Sequence, residues 1–177
     1  MHLKKFVRDH IEYRIDPLTS EQSRINPQRG KRVKQADGND ELDGIIKRSK
    51  ILCVFCPDQI KEQTTKLPSD ICQTGGITEG ETTIFPNLHP FSENHVVGAM
   101  TTEHFLSLDQ FTQELIQNNL VASRKYILAV NANDRNARFP TYLWGYMPSS
   151  AGSIIHTHTH TMVNTDPIPK INIILKK

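Results

Sequence analysis

The chain has 177 residues, 37% hydrophobic and 23% charged, with 21 Lys and Arg against 19 Asp and Glu for a formal net charge of +2. This is one domain's length at roughly 100–200 residues per domain, with enough apolar residues for a single sizeable core. That length excludes a large multidomain machine, and the charge balance argues neither for a disordered chain nor for a protein that coats nucleic acid.

No window approaches the roughly 18 consecutive apolar residues of a membrane-spanning helix, and MHLKKFVRDH is basic without the apolar stretch of a secretory signal. The expected setting is therefore cytoplasmic, without membrane contact. Residues 1–35 read as a basic arm. Nine cations (Lys4, Lys5, Arg8, Arg14, Arg24, Arg29, Lys31, Arg32 and Lys34) stand there against four anions (Asp9, Glu12, Asp16 and Glu21). The polar stretch Ala36 to Leu42 reads as a surface loop before the apolar run Ile51 to Phe55. A second loop is expected over Gln73 to Glu81, where Gly75, Gly76 and Gly80 cluster.

From Thr82 to Phe85 the chain turns strand-like, breaks at Pro86 and resumes at His95 to Met100, which predicts two adjacent antiparallel strands. Ser107 followed by Gln110 is a capping-box pattern, and Leu108, Phe111, Leu115, Ile116 and Leu120 recur at helical spacing. A long helix is predicted from near Leu108 to beyond Ile127. The polar segment NANDRNARFP ends it, and Thr141 to Tyr146 has the β-branched and aromatic make-up of a strand. Pro148 to Ser153 then reads as a small-residue turn. Beyond it, Ile154 to Val163 alternates His and Thr, and a period of two points His156, His158 and His160 to one face of a strand.

A neutral imidazole near pH 7 is a metal ligand, a nucleophile or a proton carrier. Alternate residues of a strand lie roughly 6–7 Å apart, so a division of labour among the three histidines is expected rather than a three-histidine chelate. Cys53 and Cys56 form a CxxC pair with the bite for zinc, which takes about four N or S ligands in a tetrahedron. The other two are expected from His104, placed at the start of the long helix, and one histidine of the triad strand. Such a closed set makes the metal structural. Imidazole also attacks phosphorus to give a phosphoramidate that a second acceptor discharges. The turn Ala151-Gly152-Ser153 offers backbone amides and a hydroxyl to phosphate, Gly152 permits close approach to the backbone, and Arg29 and Arg32 are bidentate phosphate donors.

Four pieces occur in order: Arg14-Ile-Asp-Pro-Leu-Thr with Asn26-Pro-Gln-Arg29-Gly-Lys-Arg32; Cys53-Val-Phe-Cys56-Pro; Phe85-Pro-Asn87 with Thr101-Thr-Glu-His104; and Ser149-Ser-Ala-Gly-Ser153-Ile-Ile-His156-Thr-His158. Together they resemble the histidine triad superfamily and, within it, the galactose-1-phosphate uridylyltransferase family. The likeness spans nearly the whole chain but only the first half of that family's two-domain proteins.

The resemblance implies an α+β fold, a single domain over 1–177 in which an antiparallel sheet packs against a long helix and residues 36–177 form the core. It implies structural zinc held by Cys53, Cys56, His104 and His156, and His158 as the nucleophile that takes UMP from UDP-glucose and passes it to a hexose 1-phosphate. Ser153 looks like the family's phosphate-binding serine and Asn87 like its nucleotide-contacting asparagine. Arg29 and Arg32 look like arginines that reach the neighbouring subunit's site, and a half-length relative is expected to pair as a homodimer. His160, counted with His158 as catalytic, stands where these transferases carry glutamine and where the small nucleotide-hydrolysing members carry histidine. Gly145 stands where the family usually has asparagine. The alternatives are a nucleotide hydrolase or phosphorylase, or a non-catalytic zinc-stabilised nucleotide-binding module.

Overall fold

Residues 3–35, 41–150 and 152–168 are described by a computed structural model. Most of the predicted loop at 36–42 and residue Ala151 of the predicted turn lie outside them. The fold is α+β: a three-stranded antiparallel sheet, a five-stranded antiparallel sheet and a long helix across one face of the larger sheet.

The basic arm is folded. Strands β1 (Lys4–Arg8), β2 (Ile11–Ile15) and β3 (Gln22–Ile25) make a meander. Asp9 and His10, both at positive φ (49° and 64°), close the first hairpin as a two-residue turn of the kind whose twist matches the strands. Phe6 stacks on its cross-strand partner Tyr13 at 4.8 Å between ring centroids, and Ile11 and Tyr13 are buried. The Arg24 guanidinium lies over Tyr13 and donates to Ser92 Oγ at 2.6 Å and Asn164 Oδ1 at 2.7 Å, which docks the meander on the larger sheet. Asn26 then caps the 3-10 turn Pro27–Lys31 through the Gln28 N–H and donates to the Pro90 carbonyl, fixing where Arg29 and Arg32 emerge.

Two helices that the sequence reading missed frame the cysteines: α1 (Leu42–Lys50) and α2 (Pro57–Gln63), the latter opened by a proline at its first turn. The glycine-rich loop contains a short strand, β4 (Ile77–Glu79). Strands β5 (Thr82–Pro86) and β6 (His95–Ala99) are antiparallel neighbours, as expected.

Helix α3 runs Gln113–Asn133, five residues later than predicted. The Ser107 and Gln110 capping box is present, but it closes only the 3-10 turn Leu108–Gln110. The helix has its own cap in Thr112, whose hydroxyl accepts from the Leu115 N–H. His104 consequently lies in a bend ahead of the helix and not at its start. The apolar stripe is not the buried face either, since Leu108 and Leu120 are exposed while Asn119, Ala122, Ser123, Tyr126 and Val130 are buried.

The sheet order explains that inversion. Strand β8 (His158–Asn164) sits between β6 and the edge strand β7 (Phe139–Trp144), in the order β4-β5-β6-β8-β7. Pro140 is tolerated inside β7 because an edge strand need not donate on its outer side. Residues 159, 161 and 163 of β8 face α3, and the buried threonine hydroxyls need partners there. Thr159 and Tyr142 both donate to Asn119 Oδ1 at 2.8 Å, and Thr161 donates to Ser123 at 3.1 Å. Gly98 makes room: a Cβ there would lie 2.9 Å from Thr159 Oγ1 and 3.0 Å from Asn119 Nδ2. Around this polar seam Ile84, Val96, Tyr126, Val130 and Val163 form one core, while Phe55, Ile60, Phe85, Val97 and Ala99 form a second on the opposite face.

Asn119→Leu keeps the size of a buried side chain but strands two hydroxyls. We expect a loss of about 1–3 kcal/mol of stability, the cost of an unsatisfied buried polar group, read from the urea midpoint.

Candidate functional site

The opposite face of the sheet carries the chemistry. Strand β8 begins at His158, so His156 lies just before it, two residues off the strand the alternation predicts. Its ring is turned towards the loop between α1 and α2. There Cys53, Cys56, His104 and His156 bring one ligand atom each to within 4.8 Å of one another, a Cys2His2 cluster able to bind a metal ion. The Cys56 Sγ lies 3.5 Å from His104 Nδ1 and 3.7 Å from His156 Nδ1, and the Cys53 Sγ lies 3.7 Å from His156 Nδ1.

Both imidazoles are held in the tautomer that ligation through Nδ1 requires. His156 Nε2–H donates to the Thr101 carbonyl at 2.9 Å. His104 Nε2 lies 2.8 Å from Ser49 Oγ, whose own proton goes to the Ile46 carbonyl, so the hydroxyl accepts from the ring. Such outer partners orient metal ligands. Burial and the neighbouring Cys53 push the Cys56 thiol up to about 12, so bringing a divalent cation to this buried pair displaces protons. Ser49 was missed by sequence reasoning. It sits in a polar stretch of α1 with nothing to distinguish it from a solvated serine.

His158 and His160 do share one face, their ring centroids 5.1 Å apart, and both line a cleft of about 260 Å³. His158 Nδ1–H donates to the His156 carbonyl at 2.7 Å, leaving Nε2 with a free lone pair. Phe55 meets the His158 ring edge to face at 5.5 Å. Burial depresses the basicity of the whole group: His158 is pulled down, His160 falls to about 3 with help from His158 and the arginines, and His95 falls to about 2.

Arg29, Arg32, Asn87 and Ser153 line the same cleft. Both arginines line the cleft of their own chain. Arg29 donates to the His89 carbonyl at 2.7 Å, and burial, aided by the Arg32 cation, lowers its basicity. An anion placed between them relieves both effects. The remaining walls are mainly apolar, chiefly Val33, Val54, Phe55, Leu88 and Ile154, with Gln63, Thr64 and Thr65 among them. Gly152 does not line the cleft. Its N–H donates to the Met147 carbonyl at 3.2 Å, and a Cβ there would lie 2.9 Å from that oxygen, so its smallness serves the turn. Gly145 is constrained by the same turn, since a Cβ would lie 3.1 Å from the Ser150 carbonyl.

No protein-family model matches the chain. Among curated proteins it is 27% identical over 154 residues to an uncharacterized protein of Archaeoglobus fulgidus, covering 87% of this chain and 44% of that one. Among solved structures it is similar to a uridylyltransferase, with a TM-score of 0.60, 15% identity, and coverage of 93% of this chain and 49% of the other. It is also similar to an ADP-glucose phosphorylase from Arabidopsis thaliana with bound ADP-glucose, with a TM-score of 0.55, 17% identity, and coverage of 92% and 51%. The chain thus spans about half the length of these proteins, and its fold is the one they contain. Among the described residues no helix is long and apolar enough to cross a membrane.

Ser49→Ala should weaken metal affinity about 10–100-fold, the usual effect of removing an outer partner, in a chelator competition assay. Acid should act through the depressed imidazoles. They stay neutral in the folded chain but take protons near 6.5 once unfolded, so their contribution is complete above pH 6.5. It is lost as pH falls from there towards the folded values of about 2 to 4. Each such histidine steepens the loss by about 1.4 kcal/mol per pH unit. Urea midpoints should therefore begin to drop below pH 6.5, before the carboxylates titrate.

Proposed function

We propose that the chain transfers nucleotidyl groups from nucleoside diphosphate sugars through a covalent nucleotidyl-His158. UDP-glucose is the first donor assigned and a hexose 1-phosphate the first acceptor. The observation that supports this most is the His158 ring: Nδ1–H is tied to a backbone carbonyl, and Nε2 is left for a cleft that also carries Arg29, Arg32 and Ser153.

The Nε2 lone pair attacks the α-phosphorus. The N–P bond forms as the bond to the bridging oxygen breaks, and the sugar 1-phosphate leaves with that electron pair. The substituted ring is cationic, and the His156 carbonyl already faces its Nδ1–H, where the charge is felt. An acceptor oxygen then attacks phosphorus and the P–N pair returns to Nε2, regenerating neutral His158. Arg29 and Arg32 offset charge on the phosphates, and the apolar walls receive the nucleoside. Zinc, when bound by Cys53, Cys56, His104 and His156, supplies stability to the segment that carries the nucleophile.

Inorganic phosphate is the second acceptor, because the solved structures similar to this chain include an ADP-glucose phosphorylase. Incubation with UDP-glucose or ADP-glucose should add one nucleotidyl group to the intact protein by mass, and the product formed on adding galactose 1-phosphate or phosphate names the acceptor. His158→Gly should reduce labelling below about 1% of wild type, the nucleophile being gone. Cys53→Ser should chiefly lower zinc content and the melting temperature. Labelling retained in the glycine variant overturns the reading.

A further inference from the structure

Behind His160 lies a buried imidazole with no role in the scheme above. His95 opens β6, is 5% exposed and shares its sheet face with Val97 and Ala99. The loop from Asn87 to Phe91 wraps round it. The Phe91 N–H donates to His95 Nδ1 at 3.3 Å, and the Phe91 ring meets the imidazole edge to face at 4.4 Å. Arg29 lies over the same phenyl ring, its guanidinium carbon 4.7 Å from the centroid.

The Phe91 N–H sets the tautomers. A neutral imidazole has one ring proton, so a His95 Nδ1 that accepts from Phe91 leaves the proton on Nε2. That Nε2–H lies 3.0 Å from His160 Nδ1, which must then accept. His160 is left with its own proton on Nε2, the ring nitrogen that does not meet His95, and the residue lines the cleft. Asn87 reinforces this arrangement. Its Oδ1 accepts from the His89 N–H at 2.9 Å, which turns Nδ2 inward between the two rings, 3.1 Å from His95 Nε2 and 3.4 Å from His160 Nδ1; with a proton on His95 Nε2, the acceptor left for the amide is His160 Nδ1.

We propose that His95 is a positioning residue that locks His160 as an Nε2–H hydrogen-bond donor towards the phosphate oxygens of the nucleotide. This rests on the nucleotidyl-transfer reading. His158 and His160 then present opposite faces of the same chemistry, a lone pair that attacks and a proton that steadies the oxygens. The locked ring has no lone pair to offer a water molecule, since its Nδ1 is occupied. It therefore serves acceptors that already carry an anionic oxygen, such as a sugar 1-phosphate or inorganic phosphate, better than it serves hydrolysis.

The test uses two variants of the zinc-loaded full chain. His95→Gln keeps both functions, an amide oxygen for the Phe91 N–H and an amide N–H for His160, while His95→Leu keeps bulk and loses both. Two-bond 1H–15N correlation spectra should show His160 protonated at Nε2 in wild type and in the glutamine variant, and as a tautomer mixture in the leucine variant. Transfer from the nucleotide sugar should fall about ten- to a hundredfold in kcat for His95→Leu, as when a transition-state donor is misplaced, with KM nearly unchanged and with rescue by glutamine. Hydrolysed product should rise relative to transferred product in the leucine variant. Wild-type His160 protonated at Nδ1, or a leucine variant with unaltered tautomer and rate, overturns the proposal. If wild-type protein takes no nucleotidyl label, the transfer reading falls while the spectra still decide the tautomer assignment. If the leucine variant fails to fold, the wild-type and glutamine spectra decide it.

Discussion

The ring and the carbonyl of His156 face in different directions, and the rest of the site depends on that division. The ring joins Cys53, Cys56 and His104 and is braced by the Thr101 carbonyl, while the carbonyl receives the Nδ1–H of His158. One residue therefore belongs to the metal-ligating cluster with its side chain and to the cleft with its backbone. Fixing the cluster fixes the peptide plane, and the peptide plane fixes the tautomer and orientation of the proposed nucleophile. A cation held here would immobilise the backbone ahead of β8, as a closed set of four protein ligands does.

The cleft is built by the opposition of burial and charge. Three imidazoles, His95, His158 and His160, lie packed in a row under Phe55 and Phe91, and burial keeps them uncharged. The cations at the rim, Arg29 and Arg32, reinforce that neutrality. The result is a pair of nitrogens, one offering electrons and one offering a proton, under a positive rim and beside apolar walls. A neutral imidazole is the form in which nitrogen attacks phosphorus, so the same burial that costs solvation secures reactivity.

Elements whose side chains have unusual chemistry were legible, and those set by packing were not. The His-Thr alternation, the CxxC pair and the break at Pro86 located β8, the cysteine loop and β5. The N-terminal meander was hidden because its alternation runs through charged residues and buries little beyond Ile11 and Tyr13. Helix α3 was found, but its inner face was misjudged: Asn119 and Ser123 look like surface residues until Thr159 and Thr161 are known to be buried opposite them. The cap at Ser107 and Gln110 was real and belonged to a shorter turn. His95 was passed over as an isolated histidine, although its spacing from Val97 and Ala99 places it on the site's side of β6.

The two faces of β8 explain why a strand of alternating His and Thr is suited to this position. A central strand buried on both sides ordinarily carries aliphatic residues, and here it carries polar ones on each. On one side threonine hydroxyls are satisfied by Asn119 and Ser123 of α3, which pins the register of helix against sheet. A slip of one residue in β8 would drive imidazoles into the helix and threonines into the cleft. The polar seam under the helix therefore does for His158 and His160 what the cluster does for the backbone ahead of them: it removes the alternative placements. The precision of the cleft comes from its two supports, one a set of four ligand atoms just ahead of β8 and the other a line of hydroxyl and amide contacts on the face that β8 turns to α3.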